Sequence, residues 1–171
     1  MIAATLLLTL IAMSAPGAAQ DTPTAKTSLA KTITWLIEFS AAHRVLMRGS
    51  DVYHAGPISS REKCTLEIDM SVARFERKWS VNHVTATVKL PQIRHISWLT
   101  DVGRLPRHAV RLRSGRSEPA IEEVVKTGDD LTTTTQPITL DLLFDSSDAA
   151  AKFGRGISHA IFLCGGKASL N

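Results

Sequence analysis

From Ser146 to Gly166 the chain reads SSDAAAKFGRGISHAIFLCGG, and this stretch decides the fold. Ala149, Phe153, Ile157, Ala160, Ile161 and Cys164 recur at intervals of three and four, which places them along one side of an α-helix. Ser146 or Ser147 supplies an N-cap, Asp148 suits the positive end, and Gly165-Gly166 suits a left-handed C-terminus. Gly154 and Gly156 each cost about 1 kcal/mol against alanine inside a helix, so the spacing predicts close packing onto a sheet there, with a kink or an early break as the alternative. The helix ends on Cys164, which lies 100 residues after the only other cysteine, Cys64.

Working outward, the segment before this helix is dominated by alternation. Cys64, Leu66, Ile68, Met70 and Val72 interleave with Thr65, Glu67, Asp69 and Ser71, the pattern of a strand with one buried face. Val84, Ala86, Val88 and Leu90 repeat it before Pro91 stops the strand. Further strands are expected at Ile96 to Leu99, at Arg107 to Arg113 before the Ser114-Gly115 turn, at Ile121 to Lys126 before Gly128-Asp129-Asp130, and at Gln136 to Phe144. Ahead of them, Thr27 or Ser28 caps a first helix whose stripe is Leu29, Ile33, Leu36, Ile37 and Ser40, ending between His43 and Gly49. Residues 48–63 carry Gly49, Ser50, Asp51, Gly56, Pro57, Ser59 and Ser60 and read as the longest loop. The expected class is α+β: an N-terminal helix, an antiparallel bent sheet or partly open barrel of about six or seven strands, and a C-terminal helix capping it.

The N-terminus reads as an address. Ile2 to Met13 is an apolar run too short to span a bilayer, followed by Pro16, Gly17 and the small residues Ala18 and Ala19. Residues 1–19 are therefore expected to be a signal peptide, although no Lys or Arg precedes the run. Residues 20–27 are a polar lead-in and 28–171 one domain, with no transmembrane anchor in the mature chain. Such a protein is periplasmic or secreted, and there Cys64 and Cys164 are expected to pair as a disulfide. Two buried free thiols are the competing state. No cysteine near the cleavage point offers a lipid anchor.

The order of strands and the closing helix, from Ala149-Ala150-Ala151-Lys152-Phe153 through Ser158-His159-Ala160-Ile161 to Leu163-Cys164-Gly165-Gly166, resembles uncharacterised exported bacterial proteins. Some of these are similar to the pleckstrin-homology-like barrel, a bent sheet plugged by a C-terminal helix. Ser28-Leu29 and Thr34-Trp35-Leu36 of the first helix are similar to that group as well. The resemblance implies binding of peptides or anionic head groups rather than catalysis, although fold alone does not carry function.

Charge is unevenly distributed. Between Val72 and Arg116 ten Lys and Arg face two acids, a balance of +8, whereas Ser117 to Asn171 has four against eight, a balance of −4. Arg107, Arg111 and Arg113 share the outward side of one strand, with Arg104 and Arg116 at its flanks, and these five form the candidate ligand-binding set. An anionic ligand or an acidic envelope protein is the expected partner. A merely solvated sheet face that protects an edge is the competing explanation. Nucleic acid is a poor fit for an exported chain with 5% aromatic residues.

Catalytic signals are weaker than their structural explanations. Gly156-Ile157-Ser158-His159-Ala160 has the letters of a nucleophile elbow but lies inside a helix rather than at a strand-to-helix turn. His43, His54, His83, His95, His108 and His159 show no metal-ligand spacing, so no metal or cofactor is expected. The alternative function is a hydrolase using His54 or His83 with carboxylates such as Asp51 near the 48–63 loop, Tyr53 standing beside them. Trp35, Trp79 and Trp98 read as core or rim residues.

Overall fold

The described chain starts with a helix, continues through twelve strands and inserts its second helix before the last of them. The computed structural model describes residues 22–24, 26–48, 51–70, 72–74, 80–100, 108–127 and 131–170. Residues 1–19, expected to be a signal peptide, Trp79, Arg104, Arg107 and the turn expected at 128–130 lie outside them. The elements are α1 (Leu29–His43), β1 (Arg44–Arg48), β2 (Asp51–His54), β3 (Ile58–Glu62), β4 (Thr65–Asp69), β5 (Val72–Arg74) and β6 (Ser80–Lys89). After a 3-10 turn at Leu90–Gln92 come β7 (Ile93–Thr100), β8 (His108–Ser114), β9 (Ile121–Thr127), β10 (Leu131–Thr135), β11 (Thr139–Phe144), α2 (Ser147–Leu163) and β12 (Ser169–Leu170).

The protein is α+β, with helices at both ends of the strand region and the C-terminal one capping a sheet. The strands form two sheets that do not close into a barrel. The first runs β12-β7-β8-β11-β1-β2, and the second runs β10-β9-β6-β4-β3 with β5 beside β6. Among the described residues every strand pairing is antiparallel except β12 with β7. The strand number exceeds the expected six or seven because short edge strands leave little trace in alternation. The 48–63 stretch is the clearest correction: it holds β2 and β3 rather than one long loop. In β3 only Ile58 is buried and the next four residues are exposed, so the period of two has a single anchor and the partner strand β4 supplies the pairing. In β10, Leu-Thr-Thr-Thr-Thr, all five residues are exposed, and β-branched propensity is the one signal present.

One hydrophobic core gathers both sheets and both helices. α2 lies on the inner face of the first sheet, against Ile96, Trp98, Val110, Leu112, Leu140, Leu142 and Phe144. α1 packs alongside α2 and reaches β3 of the second sheet. Its stripe is wider than Leu29, Ile33, Leu36, Ile37 and Ser40, because Thr32, Trp35 and Phe39 are also buried and the rings of Trp35 and Phe39 stack at 4.6 Å. Ile138, expected on the buried side of β11, lies just before that strand and is half exposed.

The boundary devices of α2 are those its letters promise. Ser146 caps it through Oγ, accepting from the Ala149 N–H at 3.2 Å. At the other end Gly165 has φ +79°, the Gly166 N–H donates to the Ile161 carbonyl and the Gly165 N–H to the Phe162 carbonyl, the double closure of a Schellman motif. The helix passes unbroken through Gly154 and Gly156. Gly154 meets the sheet through Trp98, but Gly156 meets Trp35 of α1, so close packing there serves two different neighbours.

Cys64 and Cys164 are bonded, with Cα atoms 5.8 Å apart. Cys64 sits where the second sheet hands over to the first: its carbonyl accepts from the Leu90 N–H at 3.0 Å, and Gly166 packs against Pro91 of the same corner. A cross-link closing a loop of about 100 residues is worth about 4.7 kcal/mol in the chain-entropy account.

A second link joins the sheets without covalent bonds. Arg44, the first residue of β1, is almost fully buried, and its guanidinium donates to the main-chain carbonyl of Asp69 at the end of β4. Burial pushes the Arg44 pKa down to about 10, with the Asp69 charge acting in the opposite sense. Gly56 rests directly on the Asp69 carboxylate, where a Cβ has no room.

Candidate functional site

The outer face of the first sheet, away from α2, is where the described arginines of the candidate set converge. Alternation along β8 turns Val110 and Leu112 inward and Arg111 and Arg113 outward, as the sequence reads. Register then fixes their neighbours. Ser97, Arg111 and Asp141 form one row across β7, β8 and β11, and His95, Arg113 and Thr139 form the next. Further along the same face Leu99, Ala109 and Leu143 form an apolar row, in which Ala109 is fully buried. The face thus grades from apolar at one end to cationic at the other.

The arginines are not equivalent. Arg111 is held by a two-point ion pair, Nε to Asp141 Oδ1 and Nη2 to Asp141 Oδ2, each 2.7 Å. The hydrogen bond to Asp141 raises the Arg111 pKa above its ordinary value, outweighing the opposing effect of burial, with the Asp141 charge adding to the rise. The guanidinium stays charged, and the Asp141 carboxylate beside it offsets that charge. Arg113 is exposed and has no ion-pair or hydrogen-bond partner among the described residues. Arg116 is exposed in the turn after β8. Arg94 lies at a bulge between Ile93 and His95 that swings it sideways, where it pairs with Glu118 at 3.0 Å. His95 is exposed, with Nδ1 2.7 Å from the Ser169 hydroxyl of β12.

The sequence names no partner for Arg111, yet β11 carries the signal: Leu140 and Leu142 point inward, so Asp141 must point outward onto the arginine face. His83 is exposed on β6 with Lys126 opposite in register, not an acid, and His95 meets a hydroxyl. The carboxylate contact belongs to His43, whose Nδ1 is 2.9 Å from Asp145 Oδ2. Ser158 lies within α2, and His159 Nε2 is 3.2 Å from the Thr27 carbonyl that accepts its proton.

Among the described residues no group of three His, Cys, Asp or Glu is placed to hold a metal ion. No described helix is long and apolar enough to cross a membrane. Described residues line grooves on the second sheet and beside α2. One of about 220 Å³ on the second sheet mixes Arg61 and Lys89 with Glu62 and Glu122, and one of about 480 Å³ lies beside α2. Neither of these two is lined by His83. Trp35 and Trp98 both belong to the core region, Trp98 Nε1 donating to the Ala150 carbonyl at 3.2 Å.

Comparison with protein-family models, with curated proteins and with solved structures returns no match to this chain.

Proposed function

We propose that this protein is a small binding domain that works outside the cytoplasm, periplasmic or secreted after removal of residues 1–19, and takes an anionic ligand or an acidic envelope protein on the outer face of its first sheet. The disulfide supports the location, since such bonds persist in oxidising compartments. The observation that carries the binding reading is the contrast between two adjacent outward arginines: Arg111 is locked by Asp141, while Arg113 has no anionic partner among the described residues. A fixed neighbour and a free guanidinium together present a directed positive site on a rigid strand. The resemblance to pleckstrin-homology-like proteins leans the same way, toward binding rather than catalysis. The hydrolase alternative has no comparable support, because His83 stands opposite a lysine.

Retention on a phosphate-bearing resin tests this reading. Arg113→Glu is expected to lower retention severalfold, and Asp141→Asn, which frees Arg111, to raise it. Both effects should shrink as salt shortens the Debye length to about 8 Å near 0.15 M. Equal retention of the Arg113→Glu and wild-type proteins removes the proposal and leaves a solvated sheet face.

A further inference from the structure

Four large apolar side chains stand exposed among the described residues, and two of them, Phe162 at 71% and Leu170 at 44%, line one groove. That groove, about 480 Å³, runs between the last turns of α2 and the returning segment that ends in β12. Its remaining wall includes Ala168 and the basic residues Arg155, His159 and Lys167, and no described aspartate or glutamate lines it. Phe162 is on the side of α2 opposite its buried stripe, so core packing does not explain it.

The frame of the groove is held at several points. Cys164 is tied to Cys64, Gly165 takes the left-handed turn, Gly166 is wedged against Ile161 and Pro91, and β12 hydrogen-bonds to β7. His159 is fixed by its contact with the Thr27 carbonyl. An apolar floor with a cationic rim and a preformed wall binds at low ordering cost.

We propose that this groove binds a fatty acid, a single alkyl chain ending in a carboxylate. The chain would lie on Phe162, Ala168 and Leu170, and the carboxylate would meet Arg155 and Lys167. A monoanion fits the available charge, because Arg155 already shares its field with Asp148 on the same helix. This site is separate from the Arg113 face: in β12, Ser169 pairs with outward His95, while Leu170 pairs with inward Ile96 and lines the groove. The two proposals therefore stand or fall independently.

The test is calorimetric titration of the disulfide-bonded protein with dodecanoate below its micelle concentration. Saturable binding is expected, weakened at least tenfold in Phe162→Ser and at least tenfold in the Arg155→Glu, Lys167→Glu pair, with Arg113→Glu unaffected. Phe162 is exposed, so its replacement leaves folding intact, and Leu170→Ser serves as an independent second variant expected to weaken binding in the same direction. Absence of saturable binding, equal binding by the variants, or equal binding of dodecyltrimethylammonium or a neutral dodecyl maltoside overturns the proposal. Tighter binding of dodecyl phosphate than of dodecanoate overturns the carboxylate assignment.

Discussion

Gly154 of α2 lies under the indole of Trp98 from β7, so close that a Cβ at that position would overlap the ring nitrogen. The same indole N–H donates to the Ala150 carbonyl one turn earlier, which anchors the helix on the sheet at a chosen height. Alanine at 154 gains about 1 kcal/mol of helix propensity but forces an overpacked contact that costs about 1–3 kcal/mol and disturbs that hydrogen bond. Gly154→Ala is therefore expected to destabilise by about 1–2 kcal/mol, read as a lower urea midpoint with an unchanged slope. Gly156→Ala should behave alike, through Trp35. A stabilised Gly154→Ala protein would show that Trp98 moves aside at no cost.

How much of this was legible in the letters depends on what each residue touches. α2 was readable from cap to cap because its signals are local: a serine oxygen for the N-terminus, a glycine for the left-handed turn and an apolar stripe between them. Strands with a buried face, such as β4 and β11, were readable by alternation, with Leu66, Ile68, Leu140 and Leu142 all buried. β2, β3, β10 and β12 were not, because edge strands are held by a neighbour's backbone rather than by their own side chains. The arginine face was legible as a face, but its energetics depended on Asp141, which lies 30 residues away in sequence from Arg111. Arg44 gave no sign of burial, since its partner Asp69 comes from the other sheet.

The Cys64–Cys164 bond joins the corner between the sheets to the end of α2. Replacing both cysteines by serine is expected to cost about 2–5 kcal/mol, measured by chemical unfolding under non-reducing conditions. Thiol mass mapping of the oxidised protein should find neither residue free. Hydrogen exchange should rise first in residues 161–170, where the bond holds the returning segment. Unchanged stability in the double variant would mean that Gly166 and β12 suffice to seat the helix end.

Asp148, in the first turn of α2, accepts from Lys152 at 2.8 Å, and this contact, ahead of the fields of Lys152, Arg155 and His43, holds its carboxyl below the usual carboxylate range. A carboxylate depressed in the folded state contributes stability above its unfolded pKa, and that contribution is lost as pH falls through the folded value. Asp148→Asn should therefore lower Tm slightly near neutrality and narrow the Tm drop between about pH 6 and about pH 2. Parallel thermal melts of the two proteins across that range decide it. An identical drop in both would assign acid sensitivity to other carboxylates.

Arg44 offers the sharpest energetic test, because burial lowers its pKa more than Asp69 raises it. The charged form is therefore less favoured in this site than in the unfolded chain at neutral pH. Arg44→Met keeps much of the buried stem and removes the charge, at the cost of the donor to the Asp69 carbonyl, so its stability should fall within about 1 kcal/mol of wild type. Arg44→Ala leaves a cavity and should cost about 2–5 kcal/mol. The pH dependence separates charge from packing. With a folded pKa near 10, below the unfolded value, the native state releases its proton first, so stability rises with pH only above about 10 and is flat below it. The free-energy difference between wild type and Arg44→Met should thus stay constant up to about pH 10 and then shift in favour of wild type. A difference that moves the other way would mean that the Asp69 contact more than offsets the loss of solvent around the guanidinium.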